Sequence, residues 1–403
     1  MPNAVSRHRV VIVGGGSAGI SVAARLARAG EKDVAVIEPS DIHYYQPLWT
    51  LVGGGLAPVS KSARPEQSVI PKGVMWLKDR AMEIDPDAQT VALASGANVG
   101  YDFLVVCPGL ALDWDRLTGL TETLGRDGVS SNYRADLAPK TWEFVKAIRR
   151  GTAVFSMPSG PIKCAGAPQK AAYLAADWWR KQGVLKDIHI VLVLATPKMF
   201  GVPEFSDILE KVAARYGIDV RLEHEVVEVN PDTKEVVVSN RQGGGDEKFS
   251  LGYDMAHLVP PQSAPAWIKS GPLADPANPG GYVQIDKATM RHARYPNVFS
   301  LGDAGSSPNS KTGAAVRKQV PVVVKNLRAV MADREPPAIY DGYASCPLTT
   351  GRKRMLLAEF DYTMKPRPTL PLINIQKEHY DMGVLKRYGL PLLYWNLMLK
   401  GLA

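Results

Sequence analysis

The chain has little cysteine: three residues in 403. Three thiols cannot build the framework of a small secreted protein, so a reducing compartment or a redox site accounts for them better. No apolar run approaches the roughly 18 residues of a spanning helix, which argues against a transmembrane protein. No secretory leader is visible, because residues 1–9 are polar and lead straight into a strand. Repeats are missing beyond two similar α/β halves, and so are low-complexity segments. No aromatic–basic platform occurs outside the C-terminal tail, so nucleic-acid binding is the weakest reading of the positive charge. No metal-ligating cluster is expected.

What is present suits a multidomain enzyme. The length allows two or three domains, and 36 Gly with 31 Pro favour a loop-rich enzyme over a helical bundle. The net charge is +8, and residues 351–403 carry nine Lys/Arg against four Asp/Glu. Such a tail suits an anionic membrane surface or a solvated basic face.

Val10–Val13 reads as a buried parallel strand, followed by Gly14-Gly15-Gly16-Ser17-Ala18-Gly19 and a helix over 20–29. A second strand, 34–38, ends in Glu38. Gly14 permits the tight turn, Gly16 admits a pyrophosphate, and Gly19 lets helix pack on strand. The helix N-terminus, at Ser17 and Ala18, would hold the phosphates, and Glu38 would accept from ribose hydroxyls. This motif alone leaves NAD and FAD open. Two later segments choose FAD: Tyr101–Gly109 resembles the intermediate motif of two-dinucleotide-binding-domain flavoproteins, and Val298–Asp303, ending in Gly302-Asp303, resembles their second FAD motif.

The second α/β block has a strand over 152–156, a helix over 167–181, a strand over 188–194, a helix over 205–216 and a hairpin around Pro231-Asp232. Its first strand lacks a glycine fingerprint. Met157-Pro158-Ser159-Gly160-Pro161-Ile162-Lys163-Cys164 stands there instead, and proline supplies no N–H for a pyrophosphate. The electron donor is therefore expected not to be a nicotinamide. Lys163 and the helix N-terminus beside Cys164 would lower its pKa. Cys107 ends an apolar strand and reads as a buried hydrophobe. Cys346 falls in a segment read as irregular, where an inert loop cysteine is the plain alternative.

With these residues in view the chain resembles the sulfide:quinone oxidoreductases, in particular their mitochondrial-like two-cysteine group. The carrying segments are His43–Thr50, Ile162–Lys170, Ser310–Thr312, Tyr340–Tyr343 with Ser345–Leu348, and Ala358–Tyr362. The resemblance implies an α/β fold of two tandem Rossmann-like, doubly wound domains of glutathione-reductase type with a C-terminal membrane-interface segment. The expected divisions are 1–113 and 275–340 (FAD-binding domain), 114–274 (second domain, with Cys164) and 341–403 (quinone and membrane segment, with Cys346). It implies Cys164 and Cys346 as a redox pair beside FAD, sometimes bridged by extra sulfur. Gln46, the backbone at Ala81, Gly109, Gly302, Asp303 and Lys311 would contact FAD. Phe360, Tyr362, Tyr394 and Trp395 would serve quinone and membrane. Hydrosulfide would attack at Cys346 and leave Cys164 as the thiolate that hands two electrons to FAD. Ubiquinone or menaquinone would take them onward, and sulfite, glutathione, cyanide or sulfide would take the sulfur. A third upstream cysteine of many bacterial members has no counterpart in 121–133. The location implied is peripheral and monotopic, on a bacterial inner membrane, with a homo-oligomer open. Alternatives are a type II NADH:quinone oxidoreductase, a soluble sulfide dehydrogenase serving a cytochrome, and a redox-sensing flavoprotein without turnover.

Overall fold

The computed structural model describes residues 6–369 and 374–403; residues 1–5 of the polar lead lie outside it. The first strand, Ser6–Val13, is central in a sheet with Val34–Ile37 on one side and Asn98–Val106 on the other, all parallel. Val10, Val11 and Ile12 are fully buried, as a strand covered on both faces requires. The Ser17–Arg28 helix crosses over between the first two strands. Val298–Ser300 returns from far downstream to pair with Leu104–Val106. The strands whose ends carry Gly14, Glu38, Cys107 and Gly302 thus run side by side, which gathers the dinucleotide motifs at one sheet edge.

The second sheet is also parallel: Gly151–Met157 lies between Met255–His257 and Ile188–Leu194. The helices Ala167–Lys181 and Pro203–Tyr216 pack with it in a second core. The segment 110–139, read as mixed loop, contains short elements and the start of the Leu137–Ala147 helix. The chain re-enters the first core at Ala264, Ile268 and Leu273, about ten residues before the expected division at 275.

One element corrects the sequence reading. Cys346 is not in an irregular segment. It lies on the strand Ala344–Gly351, paired antiparallel with Arg354–Phe360 so that Cys346 faces Ala358. Pro347 suggested a loop, but the strand is the edge of its three-stranded sheet, where a missing N–H costs no ladder bond. This hairpin packs against the Ala167–Lys181 helix, and Ala344, Cys346, Leu348, Leu356, Ala358 and Phe360 join the second core. The first half of the expected membrane segment is therefore integral to the second domain.

The last segment packs on the first domain. Tyr394, Trp395, Met398 and Leu399 are buried in its core. Tyr394 Oη lies 2.7 Å from Ser17 Oγ and 2.5 Å from His43 Nε2, and Arg64 sits 4.3 Å from the Trp395 ring centroid. Tyr394→Phe leaves the buried His43 and the half-buried Ser17 without this partner and is expected to destabilise by about 1–3 kcal/mol, read from urea denaturation.

Two buried histidines give stability an acid limit. His257 accepts from the Asn132 N–H at 2.9 Å, and burial pushes its pKa down to about 4. The unfolded chain binds that proton below about 6.5, so stability falls as pH drops from 6.5 to 4 and levels off below. The loss at His257 alone amounts to about 3 kcal/mol. His292, also lowered to about 4 by burial, adds in the same window. Denaturation midpoints against pH, compared with His257→Asn, check this: the variant should show a shallower decline.

Candidate active site

The glycine loop has the form of a cradle. Gly14 has φ +103°, and a Cβ there would stand 2.5 Å from the Cys107 carbonyl oxygen. A Cβ on Gly19 would collide with the Gly14 carbonyl, whereas one on Gly16 would meet nothing within 4 Å. Helix and strand are thus in contact on one side, and open space remains on the side where a phosphate would lie. The 12-residue helix that follows has no side-chain cap on its N-terminus, so the free N–H groups at Ser17 and Ala18 favour an anion. Glu38 accepts from the Gly15 N–H at 2.7 Å and from the Ser40 N–H at 2.8 Å, which fixes it against the loop. Gly109 also has positive φ, with open space where a Cβ would stand. Ala81 is buried in an edge strand of the same sheet. These residues fit a dinucleotide such as FAD.

Asp303 and Lys311 face one another across a short loop. Lys311 Nζ donates to the Asp303 and Gly305 carbonyls at 2.8 and 3.0 Å and lies 3.8 Å over the Tyr282 ring. Burial lowers the Lys311 ammonium to about 8 and raises the Asp303 carboxyl. The Lys311 carbonyl accepts the Cys164 N–H at 2.9 Å, tying the flavin-motif loop to the cysteine loop. Lys163 Nζ donates to Gln46 Oε1 at 2.8 Å, so Gln46 joins the same cluster, and Tyr133 Oη closes the loop by donating to the Lys163 carbonyl at 3.0 Å.

Cys164 and Cys346, 182 positions apart, meet here with their sulfurs 3.5 Å apart. That exceeds a disulfide bond of about 2.05 Å, and both are free thiols. Cys164 has φ +51°, a left-handed conformation that a residue with a Cβ holds only under constraint. The constraint is the hydrogen bond its N–H donates to the Lys311 carbonyl and the turn into the 167–181 helix, where the Ala167 N–H donates to the Cys164 carbonyl at 2.7 Å. Gly166 leaves room for the partner, since a Cβ there would stand 3.0 Å from Cys346 Sγ.

Two lysines that the sequence reading missed flank the pair. Lys170, only 3% exposed, donates to Cys164 Sγ at 2.9 Å. Lys386, also buried, donates to the Pro347 carbonyl at 2.6 Å and to Thr349 Oγ1 at 3.0 Å, on the strand of Cys346. The Cys346 contact and the charge of Lys170 hold the Cys164 thiol well below its usual pKa, against the cost of burial. Cys346 is pushed well above, because its thiol donates to the Cys164 sulfur and because it would be a second anion in the same buried place. The surroundings thus favour Cys164 over Cys346 as the thiolate of the pair. Burial alone would lower Lys170, yet the two sulfurs raise it and keep it charged. Burial and repulsion from Lys170 lower Lys386 well below the usual ammonium. The signal for Lys170 was a charge leading directly into the apolar run Ala171-Ala172-Tyr173-Leu174. Cys107, buried, has its thiol pushed up by burial and lies apart from the pair.

The loop after the second domain's first strand has its backbone donors already engaged. Ser159 N–H bonds Glu225 Oε1 at 2.9 Å, Lys163 N–H bonds Gln262 Oε1 at 2.8 Å, and Cys164 N–H bonds Lys311. Glu225, a buried carboxylate paired with Arg241 at 2.9 Å, occupies the Ser159 donors of this loop. This agrees with the missing fingerprint.

The four residues expected to face quinone and membrane do not form an outward face. Phe360 is buried against Phe200, with ring centroids 5.6 Å apart. Tyr362 packs on the first core and donates to the Lys287 carbonyl at 2.9 Å. Tyr394 and Trp395 are buried as described. Beside Leu385, Leu397 and Leu402, the outward large apolar residues of the tail include Tyr380, Val384, Tyr388 and Leu392, at 59, 61, 51 and 61% exposure. Their spacing of four places them along one side of the winding chain, and the inward side carries 394 and 395. No helix among the described residues is long and apolar enough to cross a membrane.

Two dinucleotide-type α/β units with a cysteine pair beside the flavin-motif loop have the layout of a disulfide oxidoreductase, and residues 8–319 match the family Pyridine nucleotide-disulphide oxidoreductase. The chain is 40% identical to the mitochondrial sulfide:quinone oxidoreductase of Mus musculus over 99% of its own length and 88% of that protein. It is 43% identical to the corresponding Dictyostelium discoideum enzyme, over 98% of this chain and 86% of that one. The solved sulfide:quinone oxidoreductase of Aquifex aeolicus superposes with a TM-score of 0.82 at 20% identity, covering 98% of this chain and 92% of that chain. The chain belongs to the sulfide:quinone oxidoreductase family.

Proposed function

We propose that this protein oxidises hydrogen sulfide to sulfane sulfur at Cys164–Cys346 and passes the two electrons through FAD to a quinone. The observation that carries this is the 3.5 Å approach of the two sulfurs with Lys170 bonded to one of them. Family membership supports the same reading. FAD would be held by Gly14, Gly16, Ser17, Ala18, Gly19, Glu38, Gln46, Ala81, Gly109, Gly302, Asp303 and Lys311. Bound there, it supplies the two-electron relay between thiol and quinone.

The protein's own part is thiol–disulfide exchange. Hydrosulfide attacks Cys346 in the oxidised pair; the S–S bond breaks, Cys346 becomes a persulfide, and Cys164 leaves as a thiolate. Lys170 receives that negative charge, so Cys164 is the better leaving group. Two S–S bonds of about 2.05 Å meeting at an angle also span the observed gap, so one extra sulfur would fit between the cysteines. An acceptor nucleophile (sulfite, glutathione, cyanide or sulfide) would remove the outer sulfur. Phe360 and Tyr362 keep the quinone assignment, at the end of the hairpin that carries Cys346.

The protein would lie on a membrane through the outward stripe Tyr380, Val384, Tyr388 and Leu392, without spanning it. A bacterial inner membrane is the sequence reading, while the relatives of 40 and 43% identity are named as mitochondrial. Anaerobic mixing with sulfide and a short-chain quinone tests the activity: the quinone should be reduced once per sulfide consumed. Sulfide-independent quinone reduction by NADH would replace this reading with the NADH:quinone one.

A further inference from the structure

A basic cleft lies where the outward stripe begins. It encloses about 400 Å³ between the Pro203–Tyr216 helix and the segment 376–380. Lys211, Arg215, Arg354 and Lys377 line it, against the single carboxylate of Glu378. Arg215 already takes Glu378, with N–O distances of 2.6 and 3.0 Å. Arg354 is held by Tyr380 Oη at 2.8 Å from its Nε. Lys211 and Lys377 are exposed and form no ion pair among the described residues. Tyr380 forms one wall of the cleft and is the first residue of the apolar stripe. Excess positive charge is thus fixed at one end of a surface suited to acyl chains.

We propose that this cleft seats the phosphate of an anionic lipid headgroup while the stripe lies in the acyl boundary. The inference rests on the peripheral-membrane reading above and adds a lipid preference to it. Lys211 and Lys377 would supply the mobile donors, Arg354 a fixed one, and Tyr380 the step from headgroup to chain depth. Each cation near an anionic surface strengthens binding about fivefold.

The test uses the FAD-loaded full chain in vesicle sedimentation, with phosphatidylcholine vesicles with or without phosphatidylglycerol. K211Q/K377Q should weaken binding to the anionic vesicles about 25-fold and leave binding to pure phosphatidylcholine unchanged. K72Q/K248Q, which removes two exposed lysines elsewhere, should lose much less. Equal losses in the two double variants, or wild-type binding by K211Q/K377Q, would overturn the headgroup cleft. The stripe is tested separately by V384S/Y388S/L392S, which should lose binding to both vesicle types. Wild-type binding by that variant would overturn the membrane reading itself.

Discussion

Cys346→Ser should reduce sulfide-driven flavin bleaching by about three orders of magnitude or more, although the chain still folds and binds FAD. The serine oxygen cannot form the persulfide that hydrosulfide attack creates. Cys164→Ser should lose as much for a different reason: Cys346 then has no partner to expel. The two variants differ in what they retain. In Cys346→Ser the Cys164 thiol keeps its Lys170 contact, and the serine hydroxyl can donate to it in place of the Cys346 thiol, so Cys164 should alkylate readily near neutral pH. In Cys164→Ser the remaining Cys346 loses the neighbouring sulfur that raises its pKa, but it stays buried where Cys164 is half-buried, so it should alkylate more slowly for want of access. Anaerobic stopped-flow mixing with sulfide, beside timed alkylation, separates these outcomes. A wild-type bleaching rate in either variant would remove the cysteine pair from the electron path.

The second large effect is expected at Lys170. Replacing it with methionine keeps the buried volume and removes the charge that bonds Cys164 at 2.9 Å. The Cys164 pKa is now well below the usual thiol value. Without the lysine, burial has one less opponent and the pKa rises. The thiolate fraction near pH 7 then falls, and with it the rate of flavin reduction, by about 10- to 100-fold. The sign is testable, because the deficit should shrink as pH rises and the thiol ionises without help. Lys170→Arg keeps a cation and should recover part of the rate at neutral pH, which a merely structural role for the side chain would not predict. A pH-independent loss would contradict the electrostatic role.

Much of the fold was legible in local pattern. The helix over 167–181 and the strand over 188–194 have the bounds that periodicity gave them. The dinucleotide motifs were legible because a tight turn demands glycine at Gly14 and close packing of helix on loop demands it at Gly19. Cys164 was legible from what its loop lacks, and its backbone donors are engaged elsewhere. Cys346 was not, because Pro347 hid an edge strand. Its closeness to Cys164 is a tertiary fact, produced by a hairpin that packs on a helix about 170 positions earlier. Lys170 and Lys386 act from separate elements, and only the packing unites them with the sulfurs. The tail was misread in direction: Tyr394 and Trp395 are apolar enough for a membrane, but the helical period turns them inward to Ser17, His43 and Arg64.

The central claim is that the cysteine pair takes the place of a nicotinamide as the route of electrons into the flavin. The most direct measurement is the flavin absorbance of the FAD-loaded protein, mixed anaerobically with sulfide in one syringe and with NADH in another. Rapid bleaching by sulfide, none by NADH and none by sulfide in Cys164→Ser is the predicted result. Bleaching by NADH, with sulfide inert or equally effective in the Cys164 variant, would contradict it.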